Sequence, residues 1–433
     1  MSALKSFIKK NIPPKILNGL IRLRELYLIK DAPRKHRKAL EIVRRKDKLK
    51  VVFFLIHDSV WKYDYLYNLM LNDNRYDPLV VVCPYMIYGD KNMIFEMNKN
   101  FENFKEKGYV VIKSFDEKTG EWMDVKNEIK PDLVFFTNPH KLTKEIYYID
   151  NFLDTLTCYV PYSFQVSNLY KDQFDQPFHS KIWKQFYETE KHKQIGKKYS
   201  FIKGANIVVT GYPGIDSYLE NAIKASPWPS SGDKKLKKII WAPHHTIPGD
   251  DSGLGYSSFF ELASIMINIA KTYSDKIQIA FKPHPILKSK LYKNESWGKS
   301  KTDDYFKVWG TLQNTFIVDS GYSELFQYSD ALIHDSGSFT AEYLLLNKPV
   351  MFTVKSIDVL CNFNDFGKEC LKMHYLGFND IEIKKFIDNV VIGEKDFMKS
   401  EREEFVNQNC LPPNNKTASQ NILDYINKEI VNK

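Results

Sequence analysis

The stretch that decides the fold runs Asp319-Ser-Gly-Tyr322-Ser-Glu-Leu-Phe-Gln-Tyr-Ser-Asp330-Ala-Leu-Ile-His-Asp-Ser-Gly-Ser338-Phe-Thr-Ala-Glu-Tyr-Leu-Leu-Leu-Asn-Lys-Pro349-Val-Met-Phe352. A short helix fits Tyr322–Ser329, a buried strand Ala331–Ile333, a second helix Phe339–Leu346 and a second strand Pro349–Phe352. Between strand and helix lies a small polar loop, His334–Ser338, holding two serines and Gly337. Such a loop aims backbone N–H groups and hydroxyls at an anion, with a helix dipole behind them. The competing reading is a capped helix start, since Asp and Ser are ordinary N-cap residues. The surrounding chain decides between the two.

Upstream, strand-length apolar runs alternate with helical stretches. Lys238–Trp241, Ile277–Phe281, Thr315–Val318, Ala331–Ile333 and Val350–Phe352 form one series, with helices expected at Phe259–Tyr273 and Tyr305–Gln313. An earlier series runs Val51–Ile56, Leu79–Cys83, Tyr109–Ile112, Leu133–Phe136, Cys158–Val160 and Ile207–Thr210. Helices are expected between them at Trp61–Leu71, Ile94–Lys107, Lys144–Leu153 and Ile182–Lys197. Continuous apolar runs suit parallel strands covered on both faces. Regular alternation means doubly wound parallel sheets. The Pro- and Ser-containing Ser226–Lys238 stretch reads as a linker. The expected class is therefore α/β, with two Rossmann-like domains whose strand ends face across a cleft.

The expected organisation is a basic arm over 1–49, a first Rossmann-like domain over 50–225, a second over 226–395, and closing helices over 396–433 that brace the first domain. The net charge of +9 is uneven: residues 1–50 hold 16 Lys/Arg against four Asp/Glu, so the rest of the chain is mildly acidic. In the arm, Phe7, Ile8 and Ile12 are interleaved with Lys5, Lys9 and Lys10 before Pro13-Pro14 breaks any helix. Ile16, Leu20, Leu23 and Tyr27 then fall on one helical face, with Asn18, Arg22 and Glu25 on the other. Coincident apolar and basic character is what an anionic membrane surface selects. The alternative is a helix packed on its own domain. Few aromatics and no RNA-module signature argue against a nucleic-acid partner. No run approaches the ~20 apolar residues of a membrane span. Five scattered cysteines without a CxxC pair fit a reducing cytoplasm rather than a disulfide framework or zinc site.

Polar residues gather after four consecutive strands of the second series, where this fold class binds ligands. Pro243-His244-His245-Thr246 follows the first, and Lys282-Pro283-His284-Pro285 the second. Asp319, Ser320, Tyr322, Ser323 and Glu324 follow the third, and His334, Asp335, Ser336, Gly337 and Ser338 the fourth. A single histidine after a strand is usually a structural hydrogen-bonder. Four loops delivering His, Lys, Ser and Asp to one edge are better explained by function. The set suits a nucleoside diphosphate: Lys282 supplies charge, the serines fixed donors, and His284, held between prolines, a proton donor for a leaving phosphate. Adjacent His244 and His245 lack the facing spacing of a zinc site, so no metal and no cofactor is expected.

These blocks resemble the CDP-glycerol glycerophosphotransferase family, the teichoic-acid primases and polymerases. Trp241-Ala242-Pro243 is similar to its Trp-Ala-Pro segment, and Lys282-Pro283-His284-Pro285 to its His-Pro motif. Its long C-terminal signature resembles Ser323-Glu324-Leu325 through Ser329–Ile333, then Asp335–Ser338 and Leu345–Pro349. The resemblance covers roughly residues 237–355 and implies a GT-B architecture with the donor in the second domain. It implies transfer of glycerol or ribitol phosphate from a CDP-activated donor to a hydroxyl of a lipid-linked or oligosaccharide acceptor, with CMP leaving. It also implies peripheral attachment to the inner face of the plasma membrane. By carry-over, His284 contacts the donor pyrophosphate, and Asp335, Ser336 and Ser338 form the phosphate loop.

The chain departs from the family in its first half. The region equivalent to the family's His-Gly base, Cys158–Asn168, has no histidine. His57, directly after the first strand, is one candidate base, and its other reading is a helix-capping neighbour. His140, His244 and His245 are further candidates, with His140 and His245 assigned to the acceptor side. Two rival functions remain in view: a glycosyltransferase of the same fold using a CMP- or UDP-sugar, and a non-catalytic polymer-binding protein.

Overall fold

The computed structural model describes residues 13–87, 89–220, 225–232, 235–248, 254–319 and 321–431. Phe7, Ile8, Ile12 and their lysines, and Ser320 in the third strand-end loop, lie outside the described residues. The chain divides into two compact units. The first takes the described residues up to Tyr162, with Lys171–Pro213 and the segment from Ser419; the second takes Ser163–Tyr170 and Gly214–Ala418.

The first unit is built on a seven-stranded parallel sheet. Its strands are β1 (Leu49–Leu55), β2 (Tyr76–Val82), β3 (Val111–Lys113), β4 (Leu133–Phe136), β5 (Leu156–Tyr159), β6 (Lys184–Tyr187) and β7 (Ile207–Val209), in the order β3-β2-β1-β4-β5-β6-β7. β1 is central, which explains its apolar run: Val51 to Leu55 are all buried. Successive side chains leave opposite faces. Phe53 stacks on Phe135 at 4.7 Å, its partner in the register, while Phe54 turns to Phe136, Tyr147 and Phe152.

Two expectations for this unit need correction. Ile182–Lys197 is not one helix: β6 comes first, and a helix runs only over Glu190–Tyr199. The polar Gln185 disguised the strand. It is buried, and its amide donates to His179 O at 3.0 Å and Asn206 Oδ1 at 2.9 Å. Lys144–Leu153 forms two 3-10 turns, Glu145–Tyr147 and Ile149–Asn151, instead of a helix.

The second unit holds a six-stranded parallel sheet of β8 (Lys237–Ala242), β9 (Ile277–Phe281), β10 (Thr315–Ile317), β11 (Ala331–His334), β12 (Val350–Thr353) and β13 (Tyr375–Gly377), ordered β10-β9-β8-β11-β12-β13. β13 gave no sequence signal, being three residues long. Trp241 pairs in register with Phe281 and stacks on it at 5.0 Å, with Trp309 beneath. In both sheets the order steps outward from a central strand in two directions, the doubly wound pattern that places ligands at strand C-terminal ends.

One helix spans Pro14–Val43, running through Pro33. Its second half is anchored to the first unit by Ala32, His36, Ala39 and Val43, all buried. At 3.6 residues per turn, Ile16, Leu20, Leu23 and Tyr27 lie roughly on the opposite side. They are 50–64% exposed. Glu25 reaches back to Lys181 Nζ at 2.7 Å, and Lys181, only 1% exposed, also pairs with Asp150. A lysine so buried needs both carboxylates. Among the described residues no helix is long and apolar enough to cross a membrane.

Candidate functional site

Three strand ends of the second unit converge because of register. Trp241 pairs with Phe281 and Ala242 with His334, so the loops after β8, β9 and β11 leave the sheet side by side. Backbone bonds tie them: Lys282 N–H donates to Trp241 O at 2.8 Å and His284 N–H to Pro243 O at 3.0 Å. The result is a cluster of three imidazoles. Ring centres lie 4.2 Å apart for His244 and His245, 4.2 Å for His245 and His284, and 5.3 Å for His244 and His284. The adjacency of His244 and His245 hid this arrangement, since the third ring comes from another loop. One ring nitrogen from each lies within 4.8 Å of the others, close enough to hold a metal ion.

Each Nδ1 has a partner. Thr246 Oγ1 lies 3.0 Å from that of His244, Lys290 Nζ 2.9 Å from that of His245, and Ile286 N–H donates to that of His284 at 3.4 Å. Burial and neighbouring positive charge hold all three rings neutral. His284 is lowered to about 3 by burial, then by His245 and Lys282; His245 to about 4 by burial, then by Lys290; and His244 goes down in the same direction. A histidine whose folded pKa is depressed contributes stability above its unfolded value near 6.5 and loses it as pH falls. The melting temperature is therefore expected to drop as pH is lowered from 7 to 5. A melting temperature that is flat or rising over that range contradicts the neutral cluster. Asp335, pushed up to about 6 by burial, works in the opposite direction, while His36, His140, His179, His334 and His374, all lowered by burial, add to the fall.

Asp335 is the organiser of the site. Its carboxylate is buried and accepts His244 N–H at 2.5 Å, Ser258 N–H at 2.7 Å and the Ser258 hydroxyl at 2.9 Å. It thereby fixes the histidine loop to the start of the helix Phe259–Thr272. The carry-over expectation placed it among phosphate ligands, yet its oxygens are turned to protein donors. Ser336 begins the short helix Gly337–Glu342 without using its hydroxyl as a cap. His334, fully buried, receives Ser336 N–H on Nδ1 at 3.2 Å. A Cβ at Gly337 would sit 3.0 Å from Tyr256 Cε2, a tight approach that the ring would have to yield to. Ser338 is half-buried beside it. Lys282 is buried near enough to His284 to depress it. Ser323 and Glu324 open the helix Ser323–Gln327, with Ser323 near the buried Tyr218. The Tyr322 ring lies 5.1 Å from Phe339, which sets the two helix starts next to each other.

The structure thus brings together Lys282, His244, His245, His284, Asp335 and Ser336. Sequence reasoning placed Thr246 in the cluster without a role and missed Tyr256, Ser258 and Lys290. Ser257-Ser258 before a helix was a legible cap signal; Lys290 carried none.

His57 and His140 belong to the first unit. His57 caps the 3-10 turn Asp58–Val60, accepting Ser59 N–H on Nδ1 at 3.3 Å, with Asp58 Oδ1 3.0 Å away. That is the capping reading of this residue. His140 lines a cavity of about 150 Å³ at the C-terminal ends of β1, β2 and β4, together with Ile56, Cys83, Asn138 and Gln176. Gln176 Nε2 lies 3.1 Å from its Nδ1, and burial lowers its pKa.

Residues 179–428 match the family model of CDP-Glycerol:Poly(glycerophosphate) glycerophosphotransferase. The teichoic acid poly(ribitol-phosphate) polymerase of Bacillus spizizenii is 27% identical over 168 residues, which is 37% of this chain and 24% of that protein. The chain thus matches about a quarter of the length of that curated relative. Among solved structures, the wall teichoic acid polymerase TagF superposes with a TM-score of 0.57 at 17% identity, covering 95% of this chain and 98% of that one. The UDP-GlcNAc 2-epimerase from Neisseria meningitidis, solved with UDP-GlcNAc, gives 0.52 at 14% identity over 88% of this chain and 100% of that one. At these identities the structures establish the fold, GT-B, and nothing further.

Proposed function

Because the chain belongs to the CDP-glycerol:poly(glycerophosphate) glycerophosphotransferase family, we propose that it transfers a polyol phosphate from a CDP-activated donor to a hydroxyl of a lipid-linked or oligosaccharide acceptor in cell-surface polymer synthesis. The observation that carries this reading is the meeting of His244, His245 and His284 with Lys282 at the strand ends, beside the Ser336–Ser338 loop. Neutral imidazoles, an ammonium and backbone N–H groups form a set of fixed donors suited to a diphosphate.

In the proposed reaction the acceptor oxygen attacks the β-phosphorus of the CDP-polyol. A new O–P bond forms, the bond from the β-phosphorus to the bridging oxygen breaks, and CMP leaves with that electron pair. The acceptor proton passes to a base or to solvent, so a phosphodiester, CMP and one proton are produced. His284 and His244 donate hydrogen bonds to the departing phosphate, and Lys282 offsets its charge. Such catalysis is chiefly positioning and electrostatics. Ser323, Glu324 and Ser338 complete the donor side, while the cavity around His140 is the place proposed for the acceptor.

A donor screen by thermal shift tests this reading. CDP-glycerol or CDP-ribitol should raise the melting temperature. Stabilisation by CMP- or UDP-sugars alone would support the glycosyltransferase reading instead.

The protein is further proposed to work on the inner face of the plasma membrane, held by its N-terminal residues 1–49. The exposed Ile16, Leu20, Leu23 and Tyr27, with Lys15 before them and Arg22 and Arg24 between them, support this. Replacing Leu20, Leu23 and Tyr27 together by serine is expected to weaken binding to phosphatidylglycerol vesicles at least about tenfold in co-sedimentation, since each loses roughly 1.5–3 kcal/mol of burial. Unchanged binding would refute the assignment.

A further inference from the structure

The three imidazoles are equivalent in type, and the group facing each Nδ1 sets what the ring can do. A neutral imidazole has one N–H and one lone pair, and the partner of one nitrogen decides where the proton sits. An ammonium has donors only. Lys290 Nζ, 2.9 Å from His245 Nδ1, presents only protons to that nitrogen, which favours acceptance there over donation to the ring's own backbone carbonyl and puts the ring proton on Nε2. The Ile286 backbone N–H is likewise a donor only, and it points at Nδ1 of His284. Thr246 Oγ1 already accepts Ser257 N–H at 3.2 Å, so its own proton is available for His244 Nδ1.

We propose that Lys290, on the helix Leu287–Lys293, is a positioning residue that locks His245 as its Nε2–H tautomer, so that His245 and His284 form a matched pair of N–H donors to the diphosphate and neither acts as the base. This rests on the donor reading given above, and deepens it. Three consequences follow. The acceptor proton must be taken elsewhere, which removes His245 from the acceptor side. The spacing of the cluster, which by distance alone would hold a metal ion, is turned toward anions: coordination through Nε2 requires the proton to move to Nδ1, directly against an ammonium. And the rings donate without being charged, so donor binding should not weaken as pH rises through 6 to 7, as it would if imidazolium were needed.

The test reads the tautomers directly. In ¹⁵N-labelled full-length protein without ligand, long-range ¹H–¹⁵N spectra should show the Nε2–H tautomer at both His245 and His284. Lys290→Met should shift His245 toward a mixture and leave His284 unchanged, because a backbone N–H holds the latter. Lys290→Arg should restore the wild-type signature. With CDP-glycerol, Lys290→Met should raise KM about tenfold, the loss of roughly one well-placed hydrogen bond, with a smaller change in kcat. An Nδ1–H tautomer at His245 in the wild type overturns the proposal, as does a Lys290→Met spectrum identical to wild type. Stoichiometric zinc binding that shifts all three rings also overturns it. If the tautomers are as inferred but inorganic pyrophosphate moves none of these signals, the lock stands and the donor reading falls.

Discussion

Replacing His284 by alanine is expected to lower CMP release by about 10²–10³-fold, the usual cost of losing one fixed donor at a developing charge. The substitution should leave the fold intact. The imidazole is held by one long hydrogen bond, from Ile286 N–H at 3.4 Å, and the loop is fixed by its backbone, through His284 N–H to Pro243 O and Lys282 N–H to Trp241 O. Removing the ring also takes away the neighbour that sits 4.2 Å from His245. A melting temperature within a degree or two of wild type, together with the lost turnover, separates this outcome from unfolding. A non-catalytic polymer-binding protein would show no turnover to lose. Full activity in the variant would mean that the hydrogen-bond donor to the leaving phosphate is another group.

Asp335→Asn is the second large effect, and it acts through geometry. One carboxylate oxygen takes His244 N–H; the other takes both Ser258 N–H and the Ser258 hydroxyl. All these partners approach as donors. An asparagine must turn its NH₂ toward one side, placing donor against donor in a buried pocket. Leaving buried donors unsatisfied costs about 1–3 kcal/mol each, so a loss of roughly 2–4 kcal/mol in stability is expected. The His244 loop should also shift, lowering turnover below what the residual folded fraction explains. The same replacement removes a carboxyl raised to about 6, so the variant should lose the part of the pH dependence that favours the fold below that value. Chemical denaturation at pH 7 and pH 5 measures both. A stability equal to wild type at pH 7 would show that the three bonds do not hold the loop.

The second unit was legible because its chemistry sits where β8, β9 and β11 end, and strands of continuous apolar residues announce their own ends. The sequence alone gathers Lys282, His244, His284, Asp335 and Ser336 at one edge. The role of Asp335 could not, because its partner Ser258 lies 77 residues away and only register brings them together. Lys290 was hidden differently: it is one lysine among several on a short helix, and its meaning comes from the ring it faces. In the first unit, β6 was lost because the polar Gln185 interrupts its apolar run, and a buried glutamine on a strand needs Asn206 and His179 to satisfy it. The departure at Cys158–Asn168 was visible, but a missing histidine does not point to its replacement. His57 turned out to cap a turn and His140 to line a cavity, distinctions set by local hydrogen bonds and not by spacing.

The most direct test of polyol-phosphate transfer is CMP release by the purified full-length protein incubated with CDP-glycerol or CDP-ribitol and a lipid-linked or oligosaccharide acceptor. The predicted result is acceptor-dependent CMP, in equal amount to polyol phosphate joined to the acceptor, and its loss in the His284→Ala variant. No CMP release across a panel of CDP-polyols and acceptors, with the protein folded throughout, would contradict it.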